Sequence, residues 1–260
     1  MKILFIGDVV GKAGRILLQK SLGRLIDRHE VDLTVVNGEN AAGGFGLTVD
    51  VAQDLYSYGA DVITSGNHIW DKREIYPYLD RQEKLLRPAN YPPNLPGRGY
   101  GVFATPADIK VAVINLEGRI FMNPLDCPFR MADDILEEIK GQTRIVLVDF
   151  HAEATSEKAA LANYLDGRVS AVVGTHTHVQ TADERVLPGG TGFLTDAGMT
   201  GSQDAVIGIR KELAMEKFLT QLPVRFEVAK KDPALCGVLF DVCEDTGKAR
   251  SVQRIREEDY

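Results

Sequence analysis

Short apolar runs that stop at polar, glycine-bearing turns recur along this chain. Ile3 to Ile6 ends at Gly7-Asp8, Val31 to Val36 at Asn37-Gly38-Glu39-Asn40, and Ala60 to Thr64 at Ser65-Gly66-Asn67-His68. Between them Ile16, Leu17, Leu22, Leu25 and Ile26 fall at helical spacing, and a second helix is predicted over Thr48 to Tyr58. Apolar runs this short, bounded by turn residues, read as strands whose two faces are both covered. Pro88, Pro92, Pro93 and Pro96 then mark an irregular connection. Strands are predicted over Tyr100 to Ala104 and Ile109 to Asn115, and a helix over Met131 to Lys140. The first pattern returns where Arg144 to Val148 runs into Asp149-Phe150-His151, and again after a helix over Ser156 to Leu165. There Val169 to Val173 runs into Gly174-Thr175-His176-Thr177-His178. Beyond Val186 glycines interrupt the chain, and a helix is predicted over Ile209 to Gln221. Hairpin strands are predicted over Val224 to Val228, Leu235 to Val242 and Ser251 to Ile255. With no repeat and no linker, the expectation is one α/β domain over 1–260: two stacked mixed β-sheets flanked by helices.

Composition narrows the function. The 260 residues are 44% hydrophobic and 26% charged, ordinary for a globular chain and unlike a disordered or fibrous one. Thirty Lys and Arg against thirty-seven Asp and Glu give a net charge of −7, which disfavours a stable nucleic-acid complex but leaves a small phosphorylated substrate open. The three cysteines, Cys127, Cys236 and Cys243, follow no metal-finger spacing and are expected to be reduced core thiols. The first apolar run is too short for a secretory signal, and no run has the roughly 18 apolar residues of a membrane span. A cytoplasmic protein away from membranes is expected, with symmetric self-association as the default for its oligomeric state.

In open α/β sheets ligands sit beyond the carboxyl ends of the strands. Here five such ends carry Asp8; Glu39 and Asn40; Asn67 and His68; His151; and His176 with His178. Four of the five histidines belong to this set, and only His29, at an expected helix end, does not. Taken singly, each residue has a structural explanation: Asp8 as a helix cap, Glu39-Asn40 and Asn67 as turn residues, His151 as a hydrogen-bonded core histidine. His176-Thr177-His178 is harder to assign to packing, since two residues apart on extended chain put both rings on one side. Together the residues supply more donors than one cation needs. A carboxylate at Glu39 can bridge two ions, and ions about 3.5–4 Å apart would clamp the attacking and leaving oxygens of a phosphoryl displacement. Oxygen and nitrogen donors without thiolate suit Mn, Fe or Zn better than Mg or Ca. Two glycine-rich alternatives fail on spacing. Gly7, Gly11 and Gly14 do not match G-x-G-x-x-G, and Gly7, Gly11 and Lys12 do not match the G-x-x-x-x-G-K-[ST] loop. Phe45, Arg119, Met122 and the glycines at 43, 44 and 46 lie in loops that could flank a nucleotide, although a surface loop is the default reading for each.

Gly7-Asp8, Gly38-Glu39-Asn40, Gly66-Asn67-His68, His151 and Gly174-Thr175-His176-Thr177-His178 resemble, in order, the motif blocks of calcineurin-like metallophosphoesterases. The strings at 7–11, 37–44 and 195–201 look like the bacterial YmdB-type subgroup. Two departures stand out: Val10 replaces the histidine of the usual Asp-x-His, and Glu39 replaces the usual bridging aspartate. The resemblance implies a four-layer sandwich and two divalent metal ions, Fe or Mn first and Zn second. It places Asp8, Glu39, Asn40 and His178 around one ion and Glu39, Asn67, His151 and His176 around the other. It further implies a metal-bridging hydroxide as nucleophile, His68 as general acid, and small phosphodiesters as substrates, including 2′,3′-cyclic nucleotides. A phosphomonoesterase or nuclease on the same metals, or a non-catalytic nucleotide-binding regulator, remain the alternatives.

Overall fold

A computed structural model describes residues 1–258. Its strands are β1 (Lys2–Ile6), β2 (Asp8–Val9), β3 (Leu33–Asn37), β4 (Val62–Thr64), β5 (Tyr100–Ala104), β6 (Lys110–Glu117), β7 (Ile145–His151), β8 (Ala171–Thr175), β9 (Arg185–Val186), β10 (Gly192–Leu194), β11 (Met199–Ser202), β12 (Pro233–Val242) and β13 (Ala249–Glu258). The α-helices are α1 (Gly11–His29), α2 (Val49–Ser57), α3 (Tyr76–Arg81), α4 (Pro128–Glu138), α5 (Thr155–Leu165) and α6 (Lys211–Thr220).

The strands build two mixed sheets. One runs β2-β11-β12-β1-β3-β4 with β13 on the far side of β12, and the other runs β5-β6-β7-β8-β10-β9. β1, β3 and β4 pair in parallel, as do β6, β7 and β8. Their carboxyl ends therefore form one edge of each sheet.

Alternation along these strands splits the apolar residues into three cores, and so into four layers. Ile3 and Phe5 face inward between the sheets with Val35, Val111, Val113, Leu147, Val173 and Phe240. Leu4 and Ile6 point the other way, against α1 and α2 through Leu17, Leu18, Leu22, Val51 and Leu55. Ala112, Ile114, Val146 and Val148 do the same on the second sheet, against α4 and α5. The α/β class and the two stacked mixed sheets flanked by helices are thus as the sequence pattern implied.

Four local expectations change. Val224 to Val228 forms no strand; Val228 makes only an isolated bridge to Ile209. The glycine-broken stretch contains β10 and β11, which are too short to show a period in the sequence, and β11 extends the first sheet by pairing with β2. Asp8 therefore lies within a strand. It caps no helix, because α1 begins after Val10 with no side-chain cap. Of the cysteines only Cys236 is buried; Cys127 and Cys243 are half-buried, and all three are free. No helix of the described residues is long and apolar enough to cross a membrane.

Candidate metal centre

The two sheet edges meet at one rim. Asp8, Glu39 with Asn40, and Asn67 with His68 arrive from the first sheet, following β1, β3 and β4. His151 ends β7 of the second sheet, and His176 and His178 follow β8. All eight residues join one network. His151 Nε2 lies 3.0 Å from Glu39 Oε2, 3.0 Å from Asn67 Oδ1 and 3.0 Å from His176 Nδ1. The His176 amide donates to Asp8 Oδ2 at 3.2 Å, and Asn40 Nδ2 lies 3.1 Å from His178 Nε2 and 3.2 Å from Glu39 Oε2. The His68 amide donates to Glu39 Oε1 at 2.8 Å. One donor atom each from Glu39, His151 and His176 falls within 4.8 Å of the others, close enough for a single ion.

His176 and His178 do not lie on extended backbone. Both hold positive φ, 95° and 66°, and the intervening Thr177 is pinned instead, its amide and hydroxyl donating to Asp196 Oδ2. Left-handed residues, not strand alternation, bring both rings to the rim. That Asp196 oxygen also accepts from the buried Lys158 ammonium of α5 at 2.6 Å. Gly66 shows why the turn before Asn67 carries no side chain: a Cβ there would sit 2.3 Å from the His151 ring.

A layer of hydrogen bonds behind the rim orients the donors. The Thr175 hydroxyl donates to Asp149 Oδ1 at 2.8 Å and so accepts from His151 Nδ1–H at 3.0 Å. That fixes Nδ1 as the protonated edge and leaves Nε2 for the centre. Asp149 also accepts from Asn37 Nδ2 and the Thr64 hydroxyl, and burial pushes its carboxyl up to about 7. His68 Nδ1 lies 2.9 Å from Asp71 Oδ2, and its ring meets Phe45 edge-on at 5.0 Å. Phe45 therefore lines the cleft; it does not form a free surface loop.

The electrostatics are those of a cation site. Burial raises the Asp8 carboxyl, and its Oδ1 is enclosed without a hydrogen-bond partner. Burial also opposes ionisation of Glu39, but the His151 imidazole beside it outweighs that and holds the carboxyl at about 2. His151 is pushed up to about 9: burial acts against its charge, yet Glu39 and Asp8 prevail. His176 falls to about 3, through burial and then the neighbouring His151 charge. A proton on His151 thus does part of what a metal cation would do, and the enclosed Asp8 oxygen, which accepts no hydrogen bond and lies 3.8 Å from His151 Nδ1, is a candidate donor. The residues fit a divalent-metal centre.

Five residues behind or beside this centre escaped the sequence reading. Asp149 and Glu153 flank His151, with Glu153 Oε2 3.2 Å from His176 Nε2. Thr175 stands between Gly174 and His176, and Asp71 lies one helical step past His68. Glu117 follows the apolar run Val111 to Ile114, after Asn115 and Leu116, at the end of its strand much as the ligand candidates are.

Residues 4–255 match the family model of the YmdB-like proteins. The chain belongs to the YmdB-like protein family. It is 50% identical over 255 residues to the 2′,3′-cyclic-nucleotide 2′-phosphodiesterase of Bacillus subtilis, covering 98% of this chain and 96% of that one. Among solved structures, a hypothetical protein from Thermus thermophilus superposes with a TM-score of 0.94 at 42% identity, over the full length of both chains. A phosphatase from Mycoplasma pneumoniae superposes at 0.93 with 35% identity, over 99% of this chain and 93% of that one. The YmdB-like resemblance of the motif blocks is thus matched across the whole fold.

Proposed function

We propose that this YmdB-like protein is a dinuclear metal-dependent phosphodiesterase acting on small phosphodiesters, 2′,3′-cyclic nucleotides among them. The observation that carries the reading is the meeting of seven oxygen and nitrogen donors from five strands at one rim, with His68 beside them. Asp8, Glu39, Asn40 and His178 would hold one ion, and Glu39, Asn67, His151 and His176 the other, with Glu39 shared. Fe or Mn suits this mixed donor set, and Zn is the next choice. Bound there, the ions supply charge neutralisation for the phosphoryl group and an acidified water.

The remaining work falls to the chain. Asp71 orients His68 through Nδ1 and leaves Nε2 to the cleft, so that His68 protonates the departing alkoxide. Thr175 and Asp149 keep His151 in the tautomer that offers Nε2. The activity named for the Bacillus subtilis relative supports the substrate class. A net charge of −7 supports small esters over long nucleic acids, and three unpaired cysteines support a reducing cytoplasmic setting.

The test is turnover by protein loaded separately with Fe, Mn or Zn against 2′,3′-cyclic nucleotides, bis(4-nitrophenyl) phosphate, a phosphomonoester and single-stranded RNA. Cyclic-nucleotide hydrolysis abolished by chelator and restored by Mn or Fe is expected. Turnover of the monoester alone would overturn the reading.

A further inference from the structure

Two clefts flank the centre. One, of about 370 Å³, contains His68 and Phe45. The other, of about 360 Å³, lies across Asn67 and His176 and is walled by Glu117, Phe121, Met122 and Asn123. In this second cleft Glu117 is wholly buried, and neither carboxyl oxygen has a hydrogen-bond partner. Tyr91 is its neighbouring side-chain donor: burial first, and then the adjacent Glu117 carboxyl, raise its phenol, and the contact between the two falls short of a well-formed hydrogen bond.

A buried carboxyl with two oxygens and only the poorly aligned Tyr91 phenol beside it is costly, so a further donor is to be sought outside the protein. The backbone around it is built to hold it there. Asn90 clamps the Glu117 peptide from both sides, accepting from its N–H at 2.9 Å and donating to its carbonyl at 2.8 Å, and reaches the Asp126 carbonyl at 3.0 Å. Glu157 accepts the amides of Arg119 and Ile120, which fixes the start of the loop carrying Phe121 and Met122. That loop presents Phe121 with 89% of its surface exposed, at a φ of 62°, a conformation a bulky side chain adopts at a cost.

We propose that this second cleft is the sugar-and-base subsite of the phosphodiesterase. The Glu117 carboxyl accepts a hydrogen bond from the ribose 5′-hydroxyl, the one sugar hydroxyl left free in a 2′,3′-cyclic nucleotide, and Phe121 and Met122 form the apolar wall for the nucleobase. The inference rests on the phosphodiesterase reading above. The order of the parts follows from burial. Glu117 is enclosed in the cleft it shares with Asn67 and His176 and meets the sugar that carries the phosphorus, whereas Phe121, 89% exposed, meets what lies farther out. Such a carboxyl selects for ligands that bring a donor and adds nothing for an ester that brings none.

The experiment compares metal-loaded wild type with Glu117→Leu and Glu117→Gln on two substrates, a 2′,3′-cyclic nucleotide and bis(4-nitrophenyl) phosphate, which has no hydroxyl. Calorimetric titration with a nucleoside 3′-monophosphate and with inorganic phosphate accompanies it. Glu117→Leu is expected to raise KM for the cyclic nucleotide about 10- to 100-fold and to weaken nucleotide binding by the same factor. Hydrolysis of the aryl ester and binding of inorganic phosphate should stay within about twofold. Glu117→Gln, which keeps the shape and one acceptor oxygen, should recover part of the loss and shows that the fold is intact. Equal losses on both substrates would overturn the subsite and place Glu117 with the metals; no loss on either would overturn it as well. A failed phosphodiesterase reading shows differently, as a wild type inert toward both esters, while the two titrations still report whether Glu117 discriminates nucleotide from phosphate.

Discussion

At the scale of single residues, the rim as proposed would separate groups that hold charge from one that moves a proton. His68 is tethered three ways: its amide to Glu39, its Nδ1 to Asp71 and its ring, edge-on, to Phe45. None of these tethers uses Nε2. His68→Ala is therefore expected to keep its metals by elemental analysis while losing about 10²- to 10⁴-fold in kcat on esters with poor leaving groups. Full activity on such an ester would remove His68 from the reaction. His151 carries a second expectation. In the metal-free protein its pKa lies at about 9, above the ordinary 6.5, because Glu39 and Asp8 outweigh the cost of burial. Below that value a metal must displace the proton to reach Nε2, so affinity climbs as pH rises toward about 9 and levels off above it. Calorimetry in buffers of different ionisation enthalpy, at a pH below about 9, should show proton release on metal uptake; uptake without proton release would contradict the assignment.

Elements explain how such short segments place their side chains. The 176–178 segment owes its conformation to α5 and to the turn at Asp196, since Lys158, Asp196 and Thr177 share one buried oxygen. Lys158→Met leaves the Asp196 carboxylate buried without its cation. It is expected to cost about 3–5 kcal/mol in urea unfolding and to lower occupancy of the ion assigned to His176. A variant as stable as wild type and fully metallated would show that the lysine is dispensable. The loop after β6 is organised in the same manner, held at one end by Asn90 and at the other by Glu157. In both places a buried polar group outside the segment sets its shape. That is why neither could be read from the segment's own residues.

For the molecule as a whole, the donors are divided between two sheets whose inner faces meet through Phe5, Phe240, Val113 and Leu147. Metal bound at the rim as proposed would tie the sheets together at one end, and a ligand that binds only the folded state stabilises it by mass action. Chelation should lower the melting temperature. Each ion held at about 100 times its Kd should contribute about 2.7 kcal/mol, read by scanning calorimetry across a metal titration. A melting temperature indifferent to metal would argue against ligation from both sheets.

The strand-and-turn rhythm determined the α/β class, the parallel strands and the helices on them, and the eight residues at the strand ends, because strand ends in an α/β sheet face one edge whatever the details of packing. It could not determine which sheet each strand joined, and the contributions of Asp149, Glu153, Thr175, Asp71 and Glu117 also lay beyond it. Those depend on which side chains come within hydrogen-bond reach across the sheet interface. That reach is fixed by packing between residues as far apart in the chain as Asn37 and Asp149. Even the two histidines of the 176–178 segment reached the rim through left-handed backbone that Asp196 and Lys158 impose from elsewhere. Local pattern sets where a residue emerges from its strand; tertiary packing sets what it meets there.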